Sequence, residues 1–149
     1  MHIPTLQMQF GTTFGNLQKT LEAFNHHNAL KSGANAGNSA AWLLAHIIAS
    51  RQVPLLITGA KPLWDGPRLQ RWGRDAAPLA ENETLHLEQL RSDLQASQEG
   101  LMAQLSSLTE DDLAKPIPMG TVGSVLAFLS THEAHHTGQL VALRRSLGL

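Results

Sequence analysis

His132, Glu133, Ala134, His135 and His136 stand together near the C-terminal end of the chain, followed by Thr137, Gly138 and Gln139. Residues four apart on a helix share a face, so His132 and His136 can offer two imidazole nitrogens to one metal ion. The segment also fits the HExxH pattern, in which a glutamate between two zinc-binding histidines acts as general base. Zinc proteases of that sort find a third ligand downstream of the motif. Here residues 137–149, TGQLVALRRSLGL, contain no His, Asp, Glu or Cys. The pair therefore reads as two metal ligands whose partner lies upstream, and Glu133 loses the base role that the motif would assign to it.

The chain has no cysteine. That removes disulfides, thiolate metal ligands and a cysteine nucleophile, and leaves His, Asp and Glu as the metal-binding types. Eleven basic against 12 acidic residues give a formal charge of -1, with no basic cluster longer than Arg144 and Arg145. Neither nucleic acid nor an anionic membrane is expected as a partner. The N-terminal MHIPTLQMQF lacks the basic start and apolar run of a signal peptide, and no apolar stretch of 18 residues is expected to span a bilayer. A cytoplasmic protein of one domain, residues 1–149, is the expectation.

Four amphipathic stretches must position the histidines. Leu6, Phe10, Phe14, Leu17, Leu21 and Phe24 predict a first helix from about Pro4 to Leu30, stopped by the Gly33 to Gly37 region. Asn38 or Ser39 can cap a second helix to about Thr58, with Trp42, His46, Ala49, Val53 and Leu56 as its core seam and Pro54 inside it. A third opens near Asn82 and carries Leu87, Leu90, Leu94, Leu101, Leu105 and Leu108. The fourth runs from Thr121 to Leu147 along Val122, Val125, Leu129, His132, His136, Leu140, Leu143 and Leu147. Strand signals are nearly absent. The chain is expected to be all-α, a four-helix bundle with a metal site between facing seams. The long connection from Gly59 to Glu81 can run back along the bundle, which gives up, down, down, up topology.

At about 100 degrees per residue, His46 falls within about 40 degrees of the centre of its seam. His86 lies to the flank of its helix, His26 and His27 point away from theirs, and His2 precedes any helix. His46, His132 and His136 are thus the expected ligands, with at least one position open to water or substrate. Neutral three-His coordination suits Zn(II) or Ni(II) and admits Fe(II) or Mn(II). Glu133 and His135 flank the ligand line, either supporting a ligand or facing solvent, and Gln139 could orient a ligand or water. Gly138 is expected to permit close helix approach.

WLLAH at Trp42 to His46, LTEDDL at Leu108 to Leu113 and the final HEAHHTGQLVALRRSLG resemble the DinB-like (DinB/YfiT) superfamily of metal-binding four-helix bundles. The likeness spans essentially the whole chain, and the last motif is its specific part. It implies an up, down, down, up bundle, a nickel or zinc site on His46, His132 and His136, and a homodimer. Several members of the family are S-transferases that use bacillithiol, mycothiol or glutathione, and mycothiol-dependent maleylpyruvate isomerase belongs to the wider group. The resemblance therefore implies a metal-dependent thiol S-transferase. The alternatives are a metal-dependent hydrolase and a non-catalytic bundle that holds metal or a small ligand.

The second helix is apolar nearly all round. Leu44, Ile48 and Leu55 lie opposite its seam, interrupted by Arg51. Such a helix must be covered twice, by the long connection or by a second copy, and a dimer through this helix is expected. Trp64 and Trp72 either pack the connection down or line a pocket mouth above the metal.

Overall fold

Ser39 at the head of the second long helix accepts a hydrogen bond from the backbone N–H of Trp42 at 3.2 Å, and Thr121 does the same for Ser124 at the last helix. These side-chain caps fix where the two ligand-bearing helices begin. In the computed structural model, which describes residues 2–33 and 37–149, the elements are α1 (Ile3–Leu21), α2 (His26–Ala29), α3 (Ala40–Ile57), α4 (Gly66–Trp72), α5 (Leu87–Ser107), α6 (Glu110–Ala114), β1 (Pro116–Ile117), β2 (Gly120–Thr121) and α7 (Val122–Ser146). The two strands form one short antiparallel ladder, Pro116 opposite Thr121.

The four long helices, α1, α3, α5 and α7, form the bundle. Gln7 meets Ser106 and Gln18 meets Gln95, so α1 and α5 are antiparallel. Gln9 meets Ser130, and Leu6 shares one core cluster with Leu126 while Leu17 shares the other with Leu140, so α1 and α7 run parallel. Leu43 and Leu143 belong to the cluster of Leu17, and Leu55 and Leu126 to that of Leu6, so α3 runs antiparallel to α7. The order is up, down, down, up, as the long connection predicts.

Two boundaries differ from expectation. The first helix ends at Leu21 rather than Leu30, because Asn25 and Asn28 exchange side-chain bonds with each other's backbone N–H and start a separate turn. The carbonyls of Leu21 and Phe24 there accept from Arg91 of α5. Residues 34–36 of the Gly33 to Gly37 stop signal lie outside the described residues. The third long helix begins at Leu87 rather than Asn82, since the Glu83 carboxylate is engaged by Arg71 and by the N–H of Ala80, which closes a turn ahead of the helix.

Contrary to the sequence expectation, α3 is long and apolar enough to cross a membrane by composition, 18 residues of mean hydropathy 1.4. Its apolarity has another cause, because it is covered on both sides within the chain. Leu44, Ile48, Arg51 and Leu55 are almost wholly buried and face the bundle interior, where the sequence seam placed Trp42, His46, Val53 and Leu56. The true interior stripe of α3 is the one read as its back. That stripe offers no apolar surface to a second copy. The other side is covered in part by the connection, whose Trp64 and Trp72 are buried and whose Trp64 Nε1 donates to Asp93 of α5 at 2.8 Å. Leu56, at the end of the same side, stays half exposed.

The same rotation applies to α7. Leu126, Ser130, Glu133, Thr137 and Leu140 are buried, whereas Leu129, His132 and His136 are intermediate and Phe128 is exposed. Ser130, Glu133 and Thr137 are polar and so fell outside the apolar sequence seam, which swung it toward the histidines. They belong to a buried polar layer, with Thr13, Arg51, Gln52, Ser97 and Gln98, which lies between the two apolar clusters of the core.

Candidate metal centre

His46 on α3 and His132 and His136 on α7 converge at the edge of that polar layer, with their ligating nitrogens within 4.8 Å of one another. His132 Nε2 lies 3.1 Å from His136 Nε2 and 3.4 Å from His46 Nε2. The far side of the ring decides what each nitrogen carries. His46 Nδ1 is 2.8 Å from the carbonyl oxygen of Trp72, which can only accept, so Nδ1 holds the proton and Nε2 holds a lone pair. His136 Nδ1 is held in the same way, 2.7 Å from Gln139 Oε1. The indole of Trp42 stacks on His46 with centroids 5.1 Å apart and planes 11° apart, which stops the ring from turning. Trp42 Nε1 is itself anchored on the Ala77 carbonyl at 2.7 Å.

His132 Nε2 stands between the lone pairs of His46 and His136 at 3.4 and 3.1 Å, and with its proton on Nδ1 it turns a third lone pair to the same point, where a shared cation removes the repulsion. Metal–nitrogen bonds of about 2.0–2.1 Å place cis imidazole nitrogens roughly 3.0 to 3.4 Å apart, so the donor set fits a divalent ion. The electrostatics agree. Burial, followed by the neighbouring rings of His136, His46 and His135, pushes the His132 imidazole down to about 4. Burial also lowers His136, against the raising effect of its bond to Gln139. Neutral imidazole is the metal-binding form.

Of the expected supporting residues, Gln139 places its Oε1 2.7 Å from His136 Nδ1. His135 is on the exposed side, its ring 5.1 Å from that of His136. Glu133 is neither a support of the histidines nor solvated. It is 3% exposed, and its two oxygens accept from Arg51 Nε and Nη2, each at 2.7 Å. A carboxylate held by a bidentate guanidinium inside the bundle cannot collect a proton from water at the histidines. The protease reading is thus closed by geometry as well as by the missing downstream ligand. Arg51 also donates to Ser97 of α5 at 3.3 Å and sits 5.5 Å from the Phe14 ring of α1, so one guanidinium touches all four long helices. Its signal in the sequence was an arginine breaking an apolar stripe while Glu133 stood among the facing histidines.

His2, His26, His27 and His86 stay away from the centre and exposed, with His26 stacked on His86 at 5.5 Å. Gly138 faces open space rather than a neighbouring helix. Trp72 supports the site through its backbone carbonyl, which carries no side-chain signal and could not be read from sequence. Beside the histidines a groove of about 990 Å³ opens between α3 and α7, with His46 and His132 in its wall. Gly73 reaches this groove, but neither Trp64 nor Trp72 lines it.

The family model of the DinB superfamily matches residues 9–140. The chain belongs to the DinB superfamily. A crystal structure described as the conserved protein of locus from Enterococcus faecalis is similar over 100% of this chain and 99% of its own, with a TM-score of 0.73 and 19% identity. At that identity the likeness extends to the fold. No curated protein matches the chain. Within the DinB superfamily this chain brings together the three histidines that could hold a metal ion.

Proposed function

We propose that this DinB-superfamily protein is a divalent-metal-dependent thiol S-transferase. The observation that carries the reading is the convergence of three histidine Nε2 atoms, two of them with a lone pair fixed by the bond on the far side of the ring, at the wall of an open groove in a chain without any cysteine. A divalent ion held by His46, His132 and His136 supplies Lewis acidity that lowers the pKa of a thiol. The thiol must arrive as a cosubstrate, because the chain has none to offer. In the reaction RSH and R′–X give R–S–R′ and HX. The sulfur–carbon bond forms as the bond to the leaving group breaks, and the thiol proton leaves with X.

The protein's own residues supply position and exclusion. Trp42, the Trp72 carbonyl and Gln139 hold two rings in one tautomer and one orientation, which keeps the lone pairs aimed inward. Arg51 ties up Glu133, so no free carboxylate competes for the site. A low-molecular-weight thiol and a reducing, cytoplasmic setting belong to the same proposal.

Metal analysis of untagged protein beside His46→Ala and His132→Ala, followed by a thiol panel with a generic electrophile, tests it. One equivalent of metal is expected in the wild type and none in the variants, with metal-dependent loss of free thiol. Variants that keep full metal would sink the three-His assignment. Metal without thiol consumption would remove the transferase reading and turn attention to ester or amide hydrolysis, where water replaces the thiol.

A further inference from the structure

We propose that the groove beside the three histidines is a built site for an uncharged, apolar ligand, and that the electrophile of the reaction above belongs to this chemical class. The second clause rests on the transferase reading. The first does not.

Exposed apolar surface is concentrated there. Six large hydrophobic residues are conspicuously exposed among the described residues, and three of them, Leu56 at 50%, Met119 at 66% and Phe128 at 65%, line this one groove. Val53 and Leu129 continue the same walls inward toward His46 and His132. Apolar side chains gathered around a concavity, rather than scattered singly, mark a place where something apolar docks. A volume of about 990 Å³ is at the upper end of small-molecule sites, typically about 300–1,000 Å³.

Of the neutral polar side chains that line the groove beside the histidines, Ser50, Gln52, Gln70 and Ser124, two are committed elsewhere. Gln52 donates to the Ile48 carbonyl and accepts from the Leu63 N–H, and Ser124 Oγ bonds the Thr121 backbone. The charged lining residues are Arg74 and Asp75, 3.7 Å apart and more than nine-tenths exposed, so they cancel each other in water. Along the walls away from the histidines, a carboxylated or phosphorylated ligand would lose hydration and meet no buried cationic side chain to replace it. An apolar one loses nothing. The Phe128 ring stands 6.0 Å from the His132 ring at 33°, so a flat group laid on Phe128 comes to rest next to the ligand cluster. That juxtaposition argues for a small molecule with its reactive end at the histidines.

The test uses N-phenyl-1-naphthylamine, a neutral probe that brightens in apolar sites, and 1-anilinonaphthalene-8-sulfonate, which carries the same rings with an added charge. Both are titrated into metal-free protein while light scattering reports its mass. One neutral probe per chain is expected, with the sulfonate at least about ten-fold weaker. Leu56→Ser with Phe128→Ser, both at exposed positions and so sparing the core, should weaken the neutral probe by about ten-fold or more. Metal stoichiometry and mass should not change. In a transferase assay the neutral probe should raise KM for the electrophile and leave kcat alone.

Absence of probe binding, equal binding of the sulfonate, or indifference to the double substitution would overturn the site. A wild-type dimer that becomes monomeric in the variant would show that a second copy fills the groove, and overturn it too. An unchanged KM would overturn the assignment to the electrophile. The probe arms need neither metal nor thiol, so a failed thiol panel beside intact probe binding removes the transferase and leaves the ligand site standing.

Discussion

At the scale of single residues the centre is asymmetric. His46 and His136 each have a hydrogen-bonded Nδ1, whereas His132 Nδ1 is buried without a partner among the described residues. Gln139 is exposed and its side chain bonds the His136 ring, so Gln139→Ala should leave folding intact and weaken metal binding by about ten-fold, measured by competition with a chromophoric chelator. Unchanged affinity would mean that the ring is held by α7 alone. The metal-free chain should also respond to acid in a defined direction. His132 in the fold is lowered to about 4 and His136 is lowered as well, so between the unfolded value near 6.5 and about 4 the unfolded chain binds more protons than the folded one. Stability is therefore full above about 6.5 and falls as the pH falls toward 4. Denaturant midpoints of metal-free protein at pH 7 and pH 5 check this, and His132→Asn should flatten the difference. Of these residues the three converging histidines were legible, because two stand four apart and the third sits in an apolar segment. The Trp72 carbonyl was not, since a backbone acceptor has no residue type.

At the scale of elements, α3 and α7 are joined at two levels, the histidines and the Arg51–Glu133 pair. The sequence pattern placed both helices correctly but rotated each one. Counting only apolar residues, Glu133, Ser130, Thr137 and Arg51 fall on the outer face, and the seam then swings toward His46, His132 and Leu56. A polar layer inside a core inverts the rule that polar means solvent, and amphipathic counting has no means of seeing it. The pairing that resolves it is long-range, 82 residues apart. Removing one partner strands a buried charge, so Arg51→Met should cost about 3–5 kcal/mol in urea unfolding. Arg51→Met with Glu133→Leu should recover most of that, because an apolar pair needs no desolvation. The two helices carry the ligands within five residues of the pair, so the double variant should still hold metal more weakly than wild type. Recovery of both stability and metal affinity would show that the pair has no part in setting the α3–α7 register.

For the whole molecule, the bundle class and its up, down, down, up order followed from four amphipathic stretches and one long connection, and the short turns at Asn25 and Thr109 did not. Those turns rest on reciprocal side-chain to backbone bonds that compete locally with a continuing helix. The consequence for stability lies in where the ligands fall. The core is two apolar clusters separated by the polar layer, and α3 and α7 both cross from one to the other. The three histidines bring these helices together at the edge of that layer, where the buried residues are polar rather than apolar. A metal that binds only the assembled trio stabilises the folded state by mass action, by about 4 kcal/mol at a thousand-fold excess over its dissociation constant. For a chain of this length that corresponds to a rise in Tm of roughly 8–16 °C. Calorimetry with added Zn(II) or Ni(II) should show a single transition moving upward, and a chelator should return it. The His46→Ala variant should show no shift, since its two remaining ligands lie on one helix and bridge nothing. A split transition, with one half insensitive to metal, would mean that the two apolar clusters unfold separately and that the polar layer is a boundary rather than a joint.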